Sequence, residues 1–140
     1  MVRISNSELV KLLMENSRRS YVELARLLGV TEAAIRKRVR RLEEEGVIRG
    51  YTIDVDPKRL GYEILCFLGL DIAPESYMRM LEILRGRNEV VKLYSTSGDH
   101  NILAECWFRS LDELNKFIKE LEGLPGLIRA CPAIVLQRLK

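Results

Sequence analysis

The fold is decided by the stretch "LGVTEAAIRKRVRRLEEEG", residues 28–46. Thr31 is a favoured helix N-cap, and a glycine at the far end favours a helix stop. Between them, Ile35, Val39 and Leu42 fall on one stripe of a helix with 3.6 residues per turn. We therefore expect a helix whose apolar stripe faces a small core.

The segments before this helix predict two more. In "SYVELARLLG", residues 20–29, Ser20 and Glu23 have the spacing of a capping box, and Gly29 suits the left-handed position after the last turn. Only "GVT" then separates the second helix from the third, which is helix-turn-helix spacing. The expected inner faces of the first two helices are Leu9, Leu12 and Leu13, and Leu24, Leu27 and Leu28.

The third helix also carries a concentrated positive charge. Residues 1–50 hold 11 Lys and Arg against 7 Asp and Glu, or +4, whereas residues 51–140 hold 12 against 13, or −1. Such a local excess suits a polyanion, because phosphate contacts release counterions. The alternative is that Arg40 and Arg41 only pair with Glu44 and Glu45, at about 0.2–0.5 kcal/mol per pair. The position of this helix in a helix-turn-helix favours DNA.

The composition indicates which broad class of protein this chain belongs to. The 140 residues are 47% hydrophobic and 31% charged, which is typical of one globular domain or two small ones. The longest apolar run, residues 64–70, is too short to span a bilayer, and "MVRISNSELV" lacks a secretory signal pattern. We therefore expect a cytoplasmic protein with no membrane partner. Three cysteines without C-x-x-C spacing predict reduced packing residues; they are Cys66, Cys106 and Cys131.

Beyond residue 61 the pattern predicts alternating strands and helices. The expected order is strand 62–72, helix 75–86, strands 89–97 and 101–109, helix 110–122 and strand 127–138. This βαββαβ order is the ferredoxin-like plan, so the fold class is α+β. Ser110 and Glu113 repeat the capping-box spacing. The expected buried residues of the two helices are Met78, Leu81 and Leu84, and Leu114, Phe117, Ile118 and Leu121.

Three segments follow from these patterns. Residues 1–49 are predicted to form a helix-turn-helix domain, residues 50–61 a hinge strand, and residues 62–140 the ferredoxin-like domain. Two strands of the last domain, "ILCFLGL" and "ILAECWF", are apolar on both faces. A chain this short has no further layer to cover the second face, so we expect a homodimer.

The only histidine, His100, lies in the polar turn "TSGDHNIL", residues 96–103. One histidine cannot form a multi-histidine metal site, and no cysteine or carboxylate cluster has ligand spacing. No serine or cysteine lies on a G-x-S-x-G turn. A catalytic or metal site is therefore disfavoured, and the turn is either a ligand-binding turn or a hairpin that only maintains its own geometry.

The chain resembles the Lrp/AsnC (leucine-responsive, or feast/famine) transcription factors, especially the archaeal ones. The similar stretches are "LGVTEAAIRKRVRRLEEEGVIRGYTIDVDPKRLGY" from Leu28 to Tyr62, the turn "TSGDHNIL", and "LPGLIRACPAIVLQRLK" from Leu124 to Lys140. The resemblance implies a winged helix-turn-helix domain and a hinge strand. It also implies an effector domain of the RAM or ACT type, which dimerises and assembles into octamers.

The same resemblance implies the partners: a pseudo-palindromic DNA operator and an amino acid bound near the turn, with no cofactor and no metal. The expected DNA-binding residues are Ser20, Tyr21, Thr31, Glu32, Ala33, Arg36, Lys37, Arg38, Arg40 and Arg41. The expected effector-binding residues are Ser97, Gly98, Asp99, His100 and Asn101. Among these, Asp99 and the Gly98 amide are favoured as ligands, and His100 is expected to be either a bystander or a modest pH-sensitive neighbour. Asn101 stands where many relatives carry an acid, which argues against a basic amino acid.

Two other functions remain open at this stage. A relative that lost DNA binding could be an enzyme, as in the sirohaem decarboxylase group, but it should then have lost the basic residues of the third helix. A stand-alone effector or scaffold protein should lack the helix-turn-helix. This chain has both the basic residues of the third helix and a complete helix-turn-helix, which argues against both alternatives.

Overall fold

The computed structural model describes residues 3–140, so Met1 and Val2 of the N-terminal segment lie outside the described residues. The chain divides after Asp54 into two compact units. Each unit has its own hydrophobic core. No helix among the described residues is both long and apolar enough to cross a membrane.

The first unit consists of three helices, α1 (Asn6–Glu15), α2 (Tyr21–Leu28) and α3 (Glu32–Glu44). The three-residue link between α2 and α3 confirms the helix-turn-helix spacing. Its buried core is formed by Leu9, Leu24, Ala25, Ile35, Val39 and Leu42. One expected core residue is wrong: Leu27 is 53% exposed, and Ala25 packs inward in its place. Helix α2 is therefore rotated about its axis, relative to the prediction, so that Ala25 rather than Leu27 faces the core.

The predicted hinge strand over residues 50–61 is not a strand of this structure. Residues 51–56 have no regular structure, and Pro57–Leu60 form a 3₁₀ turn that begins with Asp56 as its cap. A β-strand is stabilised only by pairing with a neighbouring strand. The four-stranded sheet described below does not extend to this segment.

The second unit is an antiparallel sheet with two helices. Its elements are β1 (Ile64–Ile72), α4 (Tyr77–Arg85), β2 (Val90–Ser95), β3 (Ile102–Phe108), α5 (Leu111–Glu122) and β4 (Leu127–Ile134). The strand order is β2-β3-β1-β4, which confirms the predicted ferredoxin-like α+β plan. The strands are shorter than predicted, since β1 begins at Ile64 rather than residue 62 and β4 ends at Ile134 rather than residue 138.

One face of the sheet packs against α4 and α5. From α5, Leu114, Phe117 and Leu121 are buried as predicted, and Ile118 packs at the edge of the core. From α4, Met80 and Leu84 are buried, whereas Met78 is 67% exposed, so its assignment to the core is wrong. The capping box at Ser110 is also altered: Ser110 accepts from the Glu113 amide at 3.3 Å, but the Glu113 carboxylate accepts from the Arg109 amide.

The cysteines are free thiols, as expected. Cys66 and Cys106 are fully buried and directly opposite each other on β1 and β3. Burial raises the pKa of Cys106 to about 12, which keeps this thiol protonated. Cys131 on β4 is half-buried. These positions fit packing residues rather than reactive ones.

The opposite face of the sheet, here called the open face, is not covered by α4 or α5 and carries mainly apolar side chains, with Glu105 opposite Phe67. Its main residues are Leu65, Phe67, Leu103 and Trp107. The Trp107 ring packs against Tyr62, with ring centroids 5.6 Å apart. Its buried indole N–H has no hydrogen-bond acceptor within residues 3–140. The unsatisfied indole donor therefore lies beneath the surface of this face.

The first core can be tested with two leucines of the same helix. Leu24→Ala creates a cavity in a fully buried site, and we expect it to lower the free energy of unfolding of the first unit by about 2–5 kcal/mol. Hydrogen exchange of the α1–α3 amides measures this loss. Leu27→Ala, at an exposed position of α2, should lower it by less than about 1 kcal/mol. Equal losses in the two variants would contradict this core.

Candidate functional site

The start of α3 is positioned by hydroxyl caps and a tight turn. Thr31 accepts from the Ala34 amide at 3.1 Å, and Ser20 accepts from the Glu23 amide at 3.1 Å. Gly29 adopts a φ of +66°, which lets the chain turn within three residues. The Ser20 and Thr31 hydroxyls are thus both used as helix caps, and α3 begins with its N-terminus free at the surface.

The exposed face of α3 contains both constrained and unpaired cations. Arg36 donates to Glu32 at 2.6 Å and lies over the Tyr21 ring, 5.7 Å from its centroid. Lys37 and Arg40 are exposed and form no ion pair with any residue of the described chain. The arrangement leaves two cations available for an external anion. Together with its neighbours this face forms one shallow depression, lined by Thr31, Glu32, Ala33, Arg36, Lys37 and Arg40.

Arg38 and Arg41 lie outside that depression. Arg38 is half-buried and donates to the Asn6 side chain at 2.7 Å. Arg41 donates to Glu45 at 2.8 Å. Of the two pairs expected in the alternative of a self-paired helix surface, only Arg41–Glu45 is formed, since Arg40 does not pair with Glu44 among the contacts of residues 3–140. Arg36 forms a further pair of this kind with Glu32.

The polar turn is the hairpin loop between β2 and β3. Ser97, Gly98 and Asp99 are exposed, and Gly98 adopts a φ of +96°. The loop is closed by two hydrogen bonds: the Thr96 amide donates to the Asn101 carbonyl at 3.1 Å, and the Thr96 hydroxyl to the His100 carbonyl at 2.8 Å. Within the described chain, the amides of residues 97–99 have no acceptor.

Asn101 attaches this loop to β1. Its side-chain oxygen accepts from the Ile72 amide at 3.0 Å, and its side-chain nitrogen donates to the Ile72 carbonyl at 2.8 Å. Its backbone amide also donates to the Leu70 carbonyl at 3.2 Å. The amide of Asn101 therefore serves the fold, which gives a structural reason for an amide rather than an acid here.

Four charged or titratable side chains form a closed ring, here called the Asp99 ring. Its members are Asp71 of β1, Asp99 and His100 of the loop, and Arg129 of β4. Asp71 faces His100 Nδ1 at 3.0 Å and Arg129 Nε at 2.7 Å through its two oxygens. Asp99 faces Arg129 Nη2 at 2.8 Å and His100 Nε2 at 3.5 Å through its own. The hydrogen bonds of Arg129 and, less strongly, of His100 lower the pKa of Asp71.

The position of His100 is fixed by close packing against the sheet. Its ring lies against the backbone of Gly69, where an added Cβ would come within 2.6 Å of Nε2 and 2.7 Å of Cγ. Gly69 is thus required for space, not for its backbone angle. Side-chain exposure is 22% for His100 and 20% for Asp71, against 76% for Asp99.

Sequence reasoning missed Asp71 and Arg129. Asp71 was visible as the one charge in the apolar run of β1, and the βαββαβ order places β1 between β3 and β4. The pairing of Asp71 with Arg129, however, depends on the register of β1 and β4. No group of three or more potential metal ligands occurs within residues 3–140.

Comparison with known proteins identifies both units. A family model described as winged helix-turn-helix DNA-binding matches residues 5–49, and one described as the Lrp/AsnC ligand binding domain matches residues 65–140. The HTH-type transcriptional regulator LrpA of Pyrococcus abyssi is 40% identical over 141 residues, covering 100% of both chains. The chain belongs to the Lrp/AsnC family. It is a DNA-binding transcriptional regulator with a ligand-binding domain of that type.

Further relatives extend the Lrp/AsnC assignment. LrpA1 of Halobacterium salinarum is 36% identical, covering 91% of each chain. The structure of AsnC from E. coli has a TM-score of 0.82 at 33% identity, covering 99% of this chain and 95% of the other. A Neisseria meningitidis regulator solved as its L-Met complex has a TM-score of 0.87, covering 99% and 93%. Its identity is 21%, so it shares the fold.

The structural role of Asn101 can be tested by an isosteric change. Asn101→Asp replaces the donor to the Ile72 carbonyl by an oxygen, and we expect a loss of about 1–3 kcal/mol in the free energy of unfolding. Denaturant unfolding followed by fluorescence measures it, because Trp107 is the only tryptophan and lies in the second unit. Asn115→Asp, on the exposed surface of α5, is the control and should change stability little. Similar losses in both variants would argue against this role.

Proposed function

We propose that α3 is the recognition helix and binds the major groove of double-stranded DNA. The observation that carries this proposal is the pair of unpaired cations, Lys37 and Arg40, on the face opposite its buried stripe. The small Ala33 at the exposed start of the helix allows close approach to base edges, while the cations further along meet phosphates. Arg36, held by Glu32 over Tyr21, is oriented before DNA arrives.

The other predicted DNA-binding residues have supporting roles in this proposal. Ser20 and Thr31 are caps whose free lone pairs and neighbouring amides can also meet phosphate. Arg38 and Arg41 are engaged with Asn6 and Glu45 and lie outside the depression on α3. The boundaries 1–49, 50–61 and 62–140 remain our proposed division into binding domain, hinge and effector domain.

We further propose that the protein is a homodimer that covers the open face of the sheet with the same face of a second copy. Leu65, Phe67, Leu103 and Trp107 supply apolar area for this contact. A two-fold dimer presents two recognition helices, which suits a pseudo-palindromic operator. Assembly of dimers into an octamer, and a cytoplasmic location, are expected from the family.

The hairpin loop is the proposed effector site. The unpaired amides of Ser97, Gly98 and Asp99 can bind the carboxylate of an amino acid, and the Asp99 carboxylate can bind its ammonium group. Asn101 supports the site by tying the loop to β1. His100 contacts the site through Asp99, whose carboxylate lies 3.5 Å from His100 Nε2. No cofactor is part of the proposal.

An enzymatic function like that of the sirohaem decarboxylase group is less well supported. Loss of DNA binding should have removed the exposed cations of α3, yet Arg36, Lys37 and Arg40 all remain exposed there. An effector-only scaffold is also less well supported, because the three-helix unit is present with a complete core.

The recognition-helix proposal predicts a change in salt dependence. Lys37→Ala combined with Arg40→Ala should weaken binding to an operator and lower the log–log salt slope by about one per lost phosphate contact. The operator is a duplex obtained by in-vitro selection, and gel-shift titrations over a range of salt give the slope. The control is Lys11→Ala with Arg18→Ala, which removes the same two charges from exposed positions of the same unit. An unchanged slope in the Lys37/Arg40 variant would contradict the assignment.

The effector proposal predicts that Asp99 is essential for any amino-acid response. Asp99→Ala should abolish the effect of amino acids on DNA affinity and on oligomeric state, because the ammonium group loses its carboxylate. Calorimetry with a panel of the standard amino acids, and selection of DNA with and without the panel, test this. Asp112→Ala on the exposed side of α5 is the control and should respond like the unchanged protein. If no amino acid binds the unchanged protein, the effector site is refuted.

A further inference from the structure

Arg36 differs from the other exposed cations of the α3 depression because its guanidinium is held on two sides. Its Nη2 donates to Glu32 Oε1 at 2.6 Å, and its Cζ lies 5.7 Å from the centroid of the Tyr21 ring on α2. Lys37 and Arg40 line the same depression and form no ion pair within residues 3–140. One cation of this surface is therefore fixed in direction, and two are free to move.

A pair that only stabilises the helix does not account for this arrangement. Arg41 and Glu45 form such a pair at 2.8 Å on the same helix, outside the depression, and no aromatic ring of the described chain lies against Arg41. The contact of Arg36 with Tyr21, in contrast, crosses from α3 to α2. The direction of the Arg36 guanidinium is therefore tied to both helices of the helix-turn-helix.

The guanidinium of Arg36 keeps most of its hydrogen-bonding capacity. Glu32 accepts from one of its five N–H groups, so four remain, and none of these has an acceptor within residues 3–140. Two neighbouring N–H groups of a guanidinium match the O6 and N7 atoms of guanine, the commonest base-specific contact in the major groove. Because Arg36 is already oriented, it loses less side-chain entropy when it forms that contact.

The charge of the Glu32–Arg36 pair also favours a base over a phosphate. Glu32 offsets the charge of Arg36, whereas Lys37 and Arg40 each keep a full positive charge. Attraction to phosphates depends on cations that are not already neutralised. Glu32 and Arg36 are the first and fifth residues of α3, and base edges are contacted by the N-terminal residues of a recognition helix.

We propose that Arg36 recognises a guanine in the major groove of the operator and that Glu32 positions Arg36 for this contact. The proposal rests on the recognition helix proposed above and adds the base that it reads. Lys37 and Arg40 then supply phosphate contacts, which position the protein without distinguishing sequences.

The base contact predicts a loss of discrimination at one position of the operator. In-vitro selection from a random duplex pool by the unchanged full-length protein should give a G·C pair that Arg36→Ala no longer requires. Replacing that pair by A·T should weaken binding of the unchanged protein by roughly 5- to 150-fold in gel-shift titrations, whereas Arg36→Ala should bind both duplexes equally. Its salt slope should not fall, because no phosphate contact is lost. Arg26→Ala, at an exposed position of α2, is the control and should still require the guanine.

A modified duplex tests the same contact at a single atom. The base 7-deazaguanine lacks the N7 acceptor and keeps O6 and its pairing with cytosine. Placed at the required guanine, it should weaken binding of the unchanged protein and leave Arg36→Ala unaffected, because that variant has no contact with N7 to lose. Equal losses in the two proteins would overturn the contact between Arg36 and guanine.

The positioning role of Glu32 has a separate readout. Glu32→Ala frees Arg36 and removes a carboxylate from the surface that meets DNA. The difference between the G·C and A·T duplexes should therefore shrink, while binding to both becomes tighter and the salt slope rises by up to about one. Glu32→Gln keeps an oxygen that accepts from Arg36 and should keep more of the discrimination. Glu8→Ala, in the first turn of α1, is the control. Full discrimination in Glu32→Ala would overturn the positioning role.

The variant that combines Lys37→Ala with Arg40→Ala separates this proposal from the one on which it rests. Suppose that variant loses salt slope while Arg36→Ala relaxes the requirement for no guanine, or weakens binding to all duplexes equally. The base contact is then overturned, and the recognition helix stands. If neither variant changes DNA binding, the recognition helix is overturned and the base contact with it.

Discussion

The geometry of the hairpin loop between β2 and β3 depends on one side-chain amide pairing with one peptide unit. Asn101 donates to the carbonyl and accepts from the amide of Ile72, so it extends the β1–β3 ladder through a side chain at the point where the strands separate. This pairing fixes where the loop leaves the sheet. It thereby fixes how far Asp99 and His100 stand from the end of β1 and from β4. Without it, the charged groups of the loop would not be held at fixed distances from those of the two strands.

In the helix-turn-helix unit, helix caps and local packing set the orientation of α3. Its caps at Ser20 and Thr31 satisfy free amides at each helix start, and three apolar residues of α3 are buried completely. The basic side chains consequently project from a helix whose orientation is already set by packing. Binding a polyanion then requires ordering of a few side chains rather than of the backbone, which keeps the entropic cost of recognition low.

Local features were predicted well from the sequence, and features that depend on register were not. The caps, the three-residue turn and the stripe of α3 are encoded within a few residues of each other, and the structure agrees with them. Leu27 and Met78 were placed in the core wrongly, because the exact rotation of a helix depends on what it packs against. The predicted hinge strand is not formed, because no strand pairs with this segment within residues 3–140. Asp71 and Arg129 were missed because they are 58 positions apart in the chain and meet only through the register of β1 with β4.

The contact between Gly69 and His100 limits how this sequence can change over time. Any side chain at position 69 would overlap the imidazole, so it can be accepted only after position 100 has become smaller. The reverse order is open, since a smaller residue at position 100 clashes with nothing. Substitutions at these two positions therefore have a preferred historical order. A lineage that has filled position 69 can regain the histidine only by first restoring the glycine.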